Sequence, residues 1–353
     1  MVFRKQIGIY LAGMASVFFV LGCGNSGTNK PAVNTQNAAV DQYETLEIRY
    51  QGSPGMVQPF ELAEDLGYLE PLKLVYVGSG GGGPQSLQTL QTNQIDLGGS
   101  HMTGIINLLA SEADPANGKL ISIIGSLGSD EKTTTGLYAL ESSGIRTPRD
   151  LIGKIIGLNS FGAASEAFIK KYLTNGGLSP AEIEQVQLVL VPAMNAEQAL
   201  RSKQIHGATL NGQTKEKAVA GGGLWELSTD VATFGPTVSN ISTVTKEFAK
   251  NNPNTTRKLV EGIATAIEWS KNNPLDVVVA RLRNIMEKRN REEDPAVMNY
   301  WKGFGIASEG GLMSEQDAQL WIDWLVTLGN VKEGQIKPAH LFTNEYNPYY
   351  KGK

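Results

Sequence analysis

Residues 154–173 read KIIGLNSFGAASEAFIKKYL and fall into three parts. Lys154–Leu158 is a short apolar run of strand character. Asn159–Ala163 is a turn of small residues around Phe161 and Gly162. Ala163–Leu173 reads as a helix. The same unit repeats to both sides. Downstream, Ser179-Pro180-Ala181-Glu182 is a capping box. It is followed by a strand at Val186–Val191, a helix at Asn195–Arg201 and a short strand at Ala208–Leu210 that ends at Asn211-Gly212. Upstream, Leu137–Leu140 is a strand, and Thr147-Pro148-Arg149-Asp150 starts a helix with a Thr cap, Pro in the first turn and an acid three residues on. Strands alternating with helices predict an α/β protein with parallel sheets covered by helices.

An earlier block has the same rhythm. Strands are expected at Leu46–Tyr50, Leu72–Val77, Ile95–Leu97 and Leu120–Ile124, with helices at Pro59–Leu66, Pro84–Gln94 and Met102–Ala113. From Asn254 the pattern is almost wholly helical: Leu259, Ile263 and Ile267 recur at spacing four, and Ser314 caps a further helix. Around Val231–Thr245 the chain reads as extended and Gly/Pro-punctuated. These blocks predict two lobes with a helical C-terminal tail. One lobe takes 44–135 and 237–353, and the other takes 136–236. The two crossings between them form a hinge.

The N-terminus reads as a targeting signal. Arg4 and Lys5 precede an uncharged run from Ile7 to Gly22, too short for the roughly 20 apolar residues of a membrane span and suited to a signal peptide over 1–22. Val20-Leu21-Gly22-Cys23 resembles a lipobox, with Val20 and Leu21 where Leu and a small residue are usual. Cys23 is then the lipidated residue that anchors the chain to the membrane. Residues 23–43 form a polar tether.

Composition removes several classes. Charged residues are 19% and hydrophobic residues 41%, which excludes a disordered chain. A net charge of −4 argues against nucleic acid as a partner. One cysteine permits no intrachain disulfide and no Cys-based zinc site. His101, His206 and His340 are too far apart for a helical metal motif, so no metal is expected. No nucleophile elbow or zincin motif is present. Gly78-Ser79-Gly80-Gly81-Gly82-Gly83 satisfies G-x-G-x-x-G, but Asp96 comes only thirteen residues after the run and no Gly-Lys-Ser/Thr follows. No cofactor is expected, and the run is read as a loop whose backbone approaches something closely or as a flexible strand–helix turn. Acid pairs such as Glu64-Asp65 and Glu292–Asp294 are read as solvated helix faces.

Four small-residue turns stand at strand ends: Gln51–Gly55, Gly98–His101, Asn159–Ala163 and Asn211-Gly212. In open α/β sheets ligands bind beyond the carboxyl ends of strands, where helix N-termini offer N–H groups. Two turns from each lobe therefore predict a facing cleft.

The order of several short stretches resembles solute-binding lipoproteins of ABC importers, in the nitrate/sulfonate/taurine branch that includes thiamine-pyrimidine-precursor binders. They are Pro59–Leu69 (PFELAEDLGYL), Gln94–Gly98 (QIDLG), Leu140–Ile145 (LESSGI), Asp150–Gly157 (DLIGKIIG), Ala196–Arg201 (AEQALR) and Gln204–Ala208 (QIHGA). One departure is His206, where an Asp is usual. The resemblance covers about 44–345. It implies a two-lobed, type II binding-protein fold with a small-molecule solute held between lobes, docking to an ABC permease and its ATPase, lipid-anchored on the extracytoplasmic face, and monomeric. Carried over, its cleft loops give Gly52, Ser53, Ser100, His101, Phe161, Gly162, Ala163, Asn211 and Gly212. Ser53, Ser100 and the backbone N–H groups near Gly99 and Gly162 would hold an oxyanion or other polar head. Phe161 would pack the organic part or belong to the core, and His101 would touch the solute or serve only at a helix N-terminus. Asn211 would add a hydrogen bond from the second lobe. No Arg or Lys falls in these loops, and an acidic body does not steer anions toward itself. A small organosulfonate is the solute implied by resemblance, with a pyrimidine-like or aromatic solute as the alternative. An extracytoplasmic enzyme or a scaffold lipoprotein is the reading from a different class.

Overall fold

A computed structural model describes residues 42–352 except 81, 160 and 162. The signal segment 1–22, Cys23, nearly all of the tether and Gly162 lie outside the described residues. In chain order the first block is β1 (Glu47–Gly52), α1 (Pro59–Asp65), β2 (Lys73–Ser79), α2 (Gly83–Gln91), β3 (Gly98–His101), α3 (Met102–Ala110) and β4 (Leu120–Ser129). The second is β5 (Gly136–Leu140), β6 (Ile155–Leu158), α4 (Ala164–Asn175), α5 (Pro180–Ile183), β7 (Gln187–Leu190), α6 (Ala193–Arg201), β8 (Gly207–Leu210), α7 (Gly212–Ala220), β9 (Leu224–Thr229) and α8 (Asp230–Phe234). The chain then runs through β10 (Thr237–Thr245), α9 (Lys246–Asn251), α10 (Pro253–Asn272), α11 (Leu275–Arg289), a 3₁₀ turn at Pro295–Tyr300, α12 (Glu315–Thr327) and α13 (Pro338–Leu341).

These elements build two lobes. In the first, β1 pairs with β2 in parallel, and Leu97 adds a parallel bridge beside Tyr50. A separate sheet has the order β3-β10-β4. Ile48, Leu62, Ile105, Ile124 and Ile263 are closed off in one continuous core. The C-terminal helices belong to it: Leu259, Ile263 and Ile267 of α10 have no exposed surface, as their spacing requires. The second lobe holds a five-stranded sheet, β7-β6-β8-β5-β9, with a core on each face. Leu137, Ile156 and Phe168 fill one, and Tyr138, Leu200 and Ala208 the other.

The expectation of parallel sheets holds for β1 with β2 and for β6 with its neighbours, and is corrected for the rest. β6 runs parallel to β7 and β8, but β5 is antiparallel to β8 and β9, and β10 is antiparallel to β3 and β4. The cause is topological. A lobe entered and left at one end needs opposed entry and exit strands. β4 and β10 meet at Ser129 and Thr237, and β5 and β9 meet at Gly136 and Thr229, so the two crossings run side by side. Asp230 ties them together. Its carboxylate accepts Ser129 Oγ–H at 2.6 Å and Thr135 N–H at 3.0 Å, and its own N–H donates to Thr135 O at 2.9 Å.

Local readings hold where capping chemistry carried them. The Thr147–Asp150 and Ser179–Glu182 capping boxes form, and Ser314 accepts Asp317 N–H at 2.9 Å. Gly98–His101, expected as a turn, is instead strand β3, laddered on β10 from Gly98↔Thr243 to His101↔Asn240. The extended stretch 231–245 divides into α8 and β10, and β9 had no counterpart in the sequence reading. His206 proves structural: Ile155 N–H donates to its Nδ1 at 3.1 Å, and its N–H returns to Ile155 O at 2.8 Å. Among the described residues no helix is long and apolar enough to cross a membrane.

Gly262 sits in the middle of α10, where helix propensity alone favours Ala by about 1 kcal/mol. A Cβ there would stand 2.8 Å from Tyr68 O and 2.5 Å from Leu69 Cδ2. The backbone oxygen cannot swing aside, and overpacking costs about 1–3 kcal/mol. Gly262→Ala is therefore expected to lower stability in urea unfolding by about 1–2 kcal/mol; a stabilised variant would contradict this packing.

Candidate functional site

A cavity of about 230 Å³ opens in the first lobe at the carboxyl end of β1. Five chain segments wall it. The β1 end and its loop bring Gln51, Gly52 and Ser53; the Gly-rich turn brings Gly80, Gly82 and Gly83; β3 brings Ser100 and His101; β4 and β10 bring Ser126, Asn240 and Ser242. The last three were not singled out from sequence. Their signal was the i, i+2 polar spacing of Asn240 and Ser242 on a strand.

Gly52, Ser53, Ser100 and His101 are thus brought together. Phe161, Ala163, Asn211 and Gly212 are not among the lining residues. Phe161 is half exposed, at 50%, and so does not belong to the core. Ala163 precedes α4, in a turn braced by Ser165 Oγ–H donating to Asn159 Oδ1 at 2.8 Å. Asn211 and Gly212 are exposed at the start of α7. A larger hollow of about 580 Å³, between Phe234–Val238 and α12, shares no wall residue with the first and contains none of the expected site residues. Convergence of the Gly and Ser turns, rather than size, selects the smaller cavity.

The Gly-rich run serves close approach, as read. A Cβ on Gly83 would stand 2.9 Å from Ser100 Cα, so only glycine lets the start of α2 lie against β3. The expected oxyanion donors need correction. Gly99 N–H is spent on Ser86 Oγ at 3.1 Å, and Ser100 Oγ–H on His101 O at 2.6 Å. The polar groups left for a ligand are chiefly Gln51, whose Oε1 has no hydrogen-bond partner among the described residues, with Ser53, Ser126, Asn240 and Ser242. No lining residue among those described is charged. His101 caps α3: its Nδ1 accepts Thr103 N–H at 3.1 Å. In the neutral ring the proton is then on Nε2, which is buried without a hydrogen-bond partner among the described residues, beside the Trp321 ring at 4.6 Å and 80°. Burial pushes the ring's pKa down to about 4. No group of three or more His, Cys, Asp or Glu able to hold a metal occurs among the described residues.

Charge stands one layer behind this wall. Glu61 Oε2 accepts Arg289 Nη1–H at 3.0 Å and Gln58 N–H at 3.0 Å. Its Oε1 accepts Tyr50 Oη–H at 2.9 Å and pairs with Arg291 Nη1 at 3.0 Å. Arg289 forks onto Glu293 with two contacts of 2.7 Å and donates twice to Met56 O at 3.0 Å, while Glu293 accepts Gly55 N–H at 2.7 Å. Arg291 also donates to Tyr50 Oη, lies 3.7 Å over the Tyr76 ring, and packs so closely on Gly52 that a Cβ there would be 2.5 Å from its Nη1. Asn290 and Glu292, on either side of Arg291, have φ of 47° and 50°, a strained choice for non-glycine residues. The acids read as solvated faces are likewise engaged. Asp65 pairs with Arg281 at 2.7 Å, Glu64 accepts Leu74 N–H at 2.7 Å, and Asp294 caps Ala296 N–H at 2.9 Å.

A family model described as NMT1/THI5 like matches residues 57–276. No curated protein sequence matches the chain. Among solved structures, the alkanesulfonate-binding protein SsuA from Xanthomonas axonopodis pv. citri, bound to MOPS, aligns with a TM-score of 0.62 at 17% identity, covering 85% of this chain and 99% of that one. The periplasmic nitrate-binding protein NrtA from Synechocystis PCC 6803 aligns at 0.63 and 10% identity, over 86% and 88%. The desulfurization enzyme DSZB aligns at 0.58 and 14% identity, over 86% and 97%. These likenesses show a shared two-lobed, periplasmic-binding-protein-like fold.

The folded protein holds His101 neutral to about pH 4, whereas the unfolded chain takes the proton near 6.5. Between those values the unfolded state binds more protons, so stability falls as pH drops through the window. Comparing wild type with His101→Gln in denaturant titrations at pH 7 and pH 4.5 should show the larger loss in wild type. Equal losses would contradict a buried neutral ring.

Proposed function

Because the chain belongs to the NMT1/THI5-like family, we propose that it is the extracytoplasmic solute-binding component of an ABC importer. It would take a small organic solute into the cleft and deliver it to the permease and its ATPase, held at the membrane by lipidated Cys23. The observation that carries this reading is the cavity wall itself. It is concave, built from the end of β1, the Gly-rich turn, β3 and the middles of β4 and β10, and lined chiefly by glycines, hydroxyls and amides. His101 is the only titratable side chain among the described wall residues. It has its Nδ1 committed and its ring neutral, so the wall offers neither a general base nor an activated nucleophile near pH 7.

In this reading 44–135 with 237–353 and 136–236 are the moving halves, and the paired crossings at Asp230 are the hinge. The cavity in the first lobe is the half-site that meets the solute first. Closure would bring Phe161, Ala163, Asn211 and Gly212 over it, so the solute binds the closed form better and draws the population there. A small organosulfonate is the favoured solute: neutral hydroxyl and amide donors suit an oxyanion, and the fold is shared with a protein named for binding alkanesulfonates. The enzyme DSZB shares the fold as well, which makes chemical turnover the reading to test beside binding.

Thermal-shift and calorimetric titrations with 1-butanesulfonate, taurine, nitrate, uracil and benzoate should raise Tm with a sulfonate above the others, since a ligand of the native state must stabilise it. The sulfonate should be recovered unchanged; its conversion to another product would replace binding with catalysis. Asn240→Ala and Asn211→Ala should each weaken that binding by about 1 kcal/mol, the scale of one lost hydrogen bond. Unchanged affinity would remove the residue concerned from the site. No shift with any solute would remove the importer reading.

A further inference from the structure

We propose that Arg289 and Glu293 are positioning residues: they hold the 51–58 loop in its cavity-forming shape and thereby set solute affinity. The inference rests on the solute-binding reading for its second half only. Gln51, Gly52, Ser53, Met56 and Gln58 all line the cavity, so the loop's shape is much of the site's shape. The loop does little to hold itself. Within it the backbone makes one long bond, Met56 N–H to Ser53 O at 3.3 Å. Its central polar groups are satisfied from far along the chain instead. Gly55 N–H goes to Glu293, and Met56 O receives both terminal nitrogens of Arg289.

Three features separate this strap from an ordinary stabilising ion pair. Arg289, Glu293 and Glu61 keep only 7%, 5% and 4% of their side-chain surface, so the pairing is enclosed and geometrically determined. The strap's backbone takes the left-handed region at both Asn290 and Glu292 to aim Arg289, Arg291 and Glu293 inward. The four charges, Glu61, Arg289, Arg291 and Glu293, cancel, and none lines the cavity. The strap therefore supplies no net attraction for a charged solute. It acts through where it places Ser53 and its neighbours.

The test uses the full chain. Arg289→Lys keeps the charge and loses the fork on Glu293 and Met56 O. Glu293→Ala loses the acceptor for Gly55, and Glu293→Gln keeps one oxygen of the same reach to accept Gly55 N–H and Arg289 Nη2–H, giving up the contact from Arg289 Nε–H. Calorimetry with 1-butanesulfonate should give a Kd at least tenfold weaker for Arg289→Lys and Glu293→Ala, and within threefold of wild type for Glu293→Gln. Without any solute, hydrogen exchange at Gly55 and Met56 should quicken at least tenfold in the two damaging variants while the amides of α10 keep wild-type rates. Folded variants whose affinity stays within twofold overturn the proposal, as do loop amides that exchange no faster. If wild type binds no solute while the loop amides respond as expected, the strap's hold on the loop is supported and the solute reading fails.

Discussion

β10 lies between β3 and β4 and is hydrogen-bonded on both edges. Much of the remaining architecture follows from that placement. A chain that has built an entire second lobe must come back to the middle of the first lobe's sheet, so the second lobe is an insertion and its connections are two. The return strand also carries Asn240 and Ser242 into the cavity wall, opposite β3 with Ser100 and His101. One strand thus closes the sheet, ends the crossing and furnishes part of the cavity wall. A change in how the crossings lie would be felt at the cavity through the same backbone.

The cavity wall and the layer behind it divide the electrostatic work. Removing one partner of a buried ion pair costs about 3–5 kcal/mol, because the other charge is left enclosed. Glu61, Arg289, Arg291 and Glu293 therefore have to be read as a unit. Placing this unit one layer back lets it fix backbone geometry while the surface met by a solute stays uncharged. His101 fits the same arrangement. Its burial, with Trp321 packed against it, keeps it neutral, and Trp321 in turn meets Phe234 of the second crossing at 5.8 Å. Contact between the lobes also runs through α4, where Ala167 joins the first lobe's core and Lys170 lies over Trp324.

What was legible in the sequence was what is decided locally. Capping boxes at Thr147 and Ser179, the spacing of Leu259, Ile263 and Ile267, and the turns after β1 and β6 each rest on residues within a few positions of one another. Strand direction was not legible, because β5 and β9 are antiparallel for a reason that lies in the path of the whole chain. Gly98–His101 was misread as a turn for a related reason: two glycines carry no strand propensity, and only the ladder to β10 makes them β. Among the cavity-wall residues, Ser53, Ser100 and His101 were reached through their turns. Ser126, Asn240 and Ser242 sit in mid-strand and come together only by sheet pairing. The Arg289–Glu293 strap had no counterpart in the sequence reading, since nothing in RNREE reveals a loop 233 residues earlier in the chain at Met56.

A neutral pocket on an acidic protein has a consequence for selectivity. The chain's net charge of −4 disfavours long-range attraction of an anion, and counter-ions screen that field beyond about 10 Å. For the proposed solute, discrimination would then be made at contact, by which hydroxyl or amide reaches which atom. Contact discrimination of that kind tolerates little movement in the wall, since a hydrogen bond weakens steeply when its donor is misdirected. A wall of glycines and short side chains has little rigidity of its own. The close seating of Gly83 on Ser100, the Asp230 tie between crossings and the buried arginine strap are therefore what give this cavity a definite shape, and a definite shape is what an uncharged site has to select with.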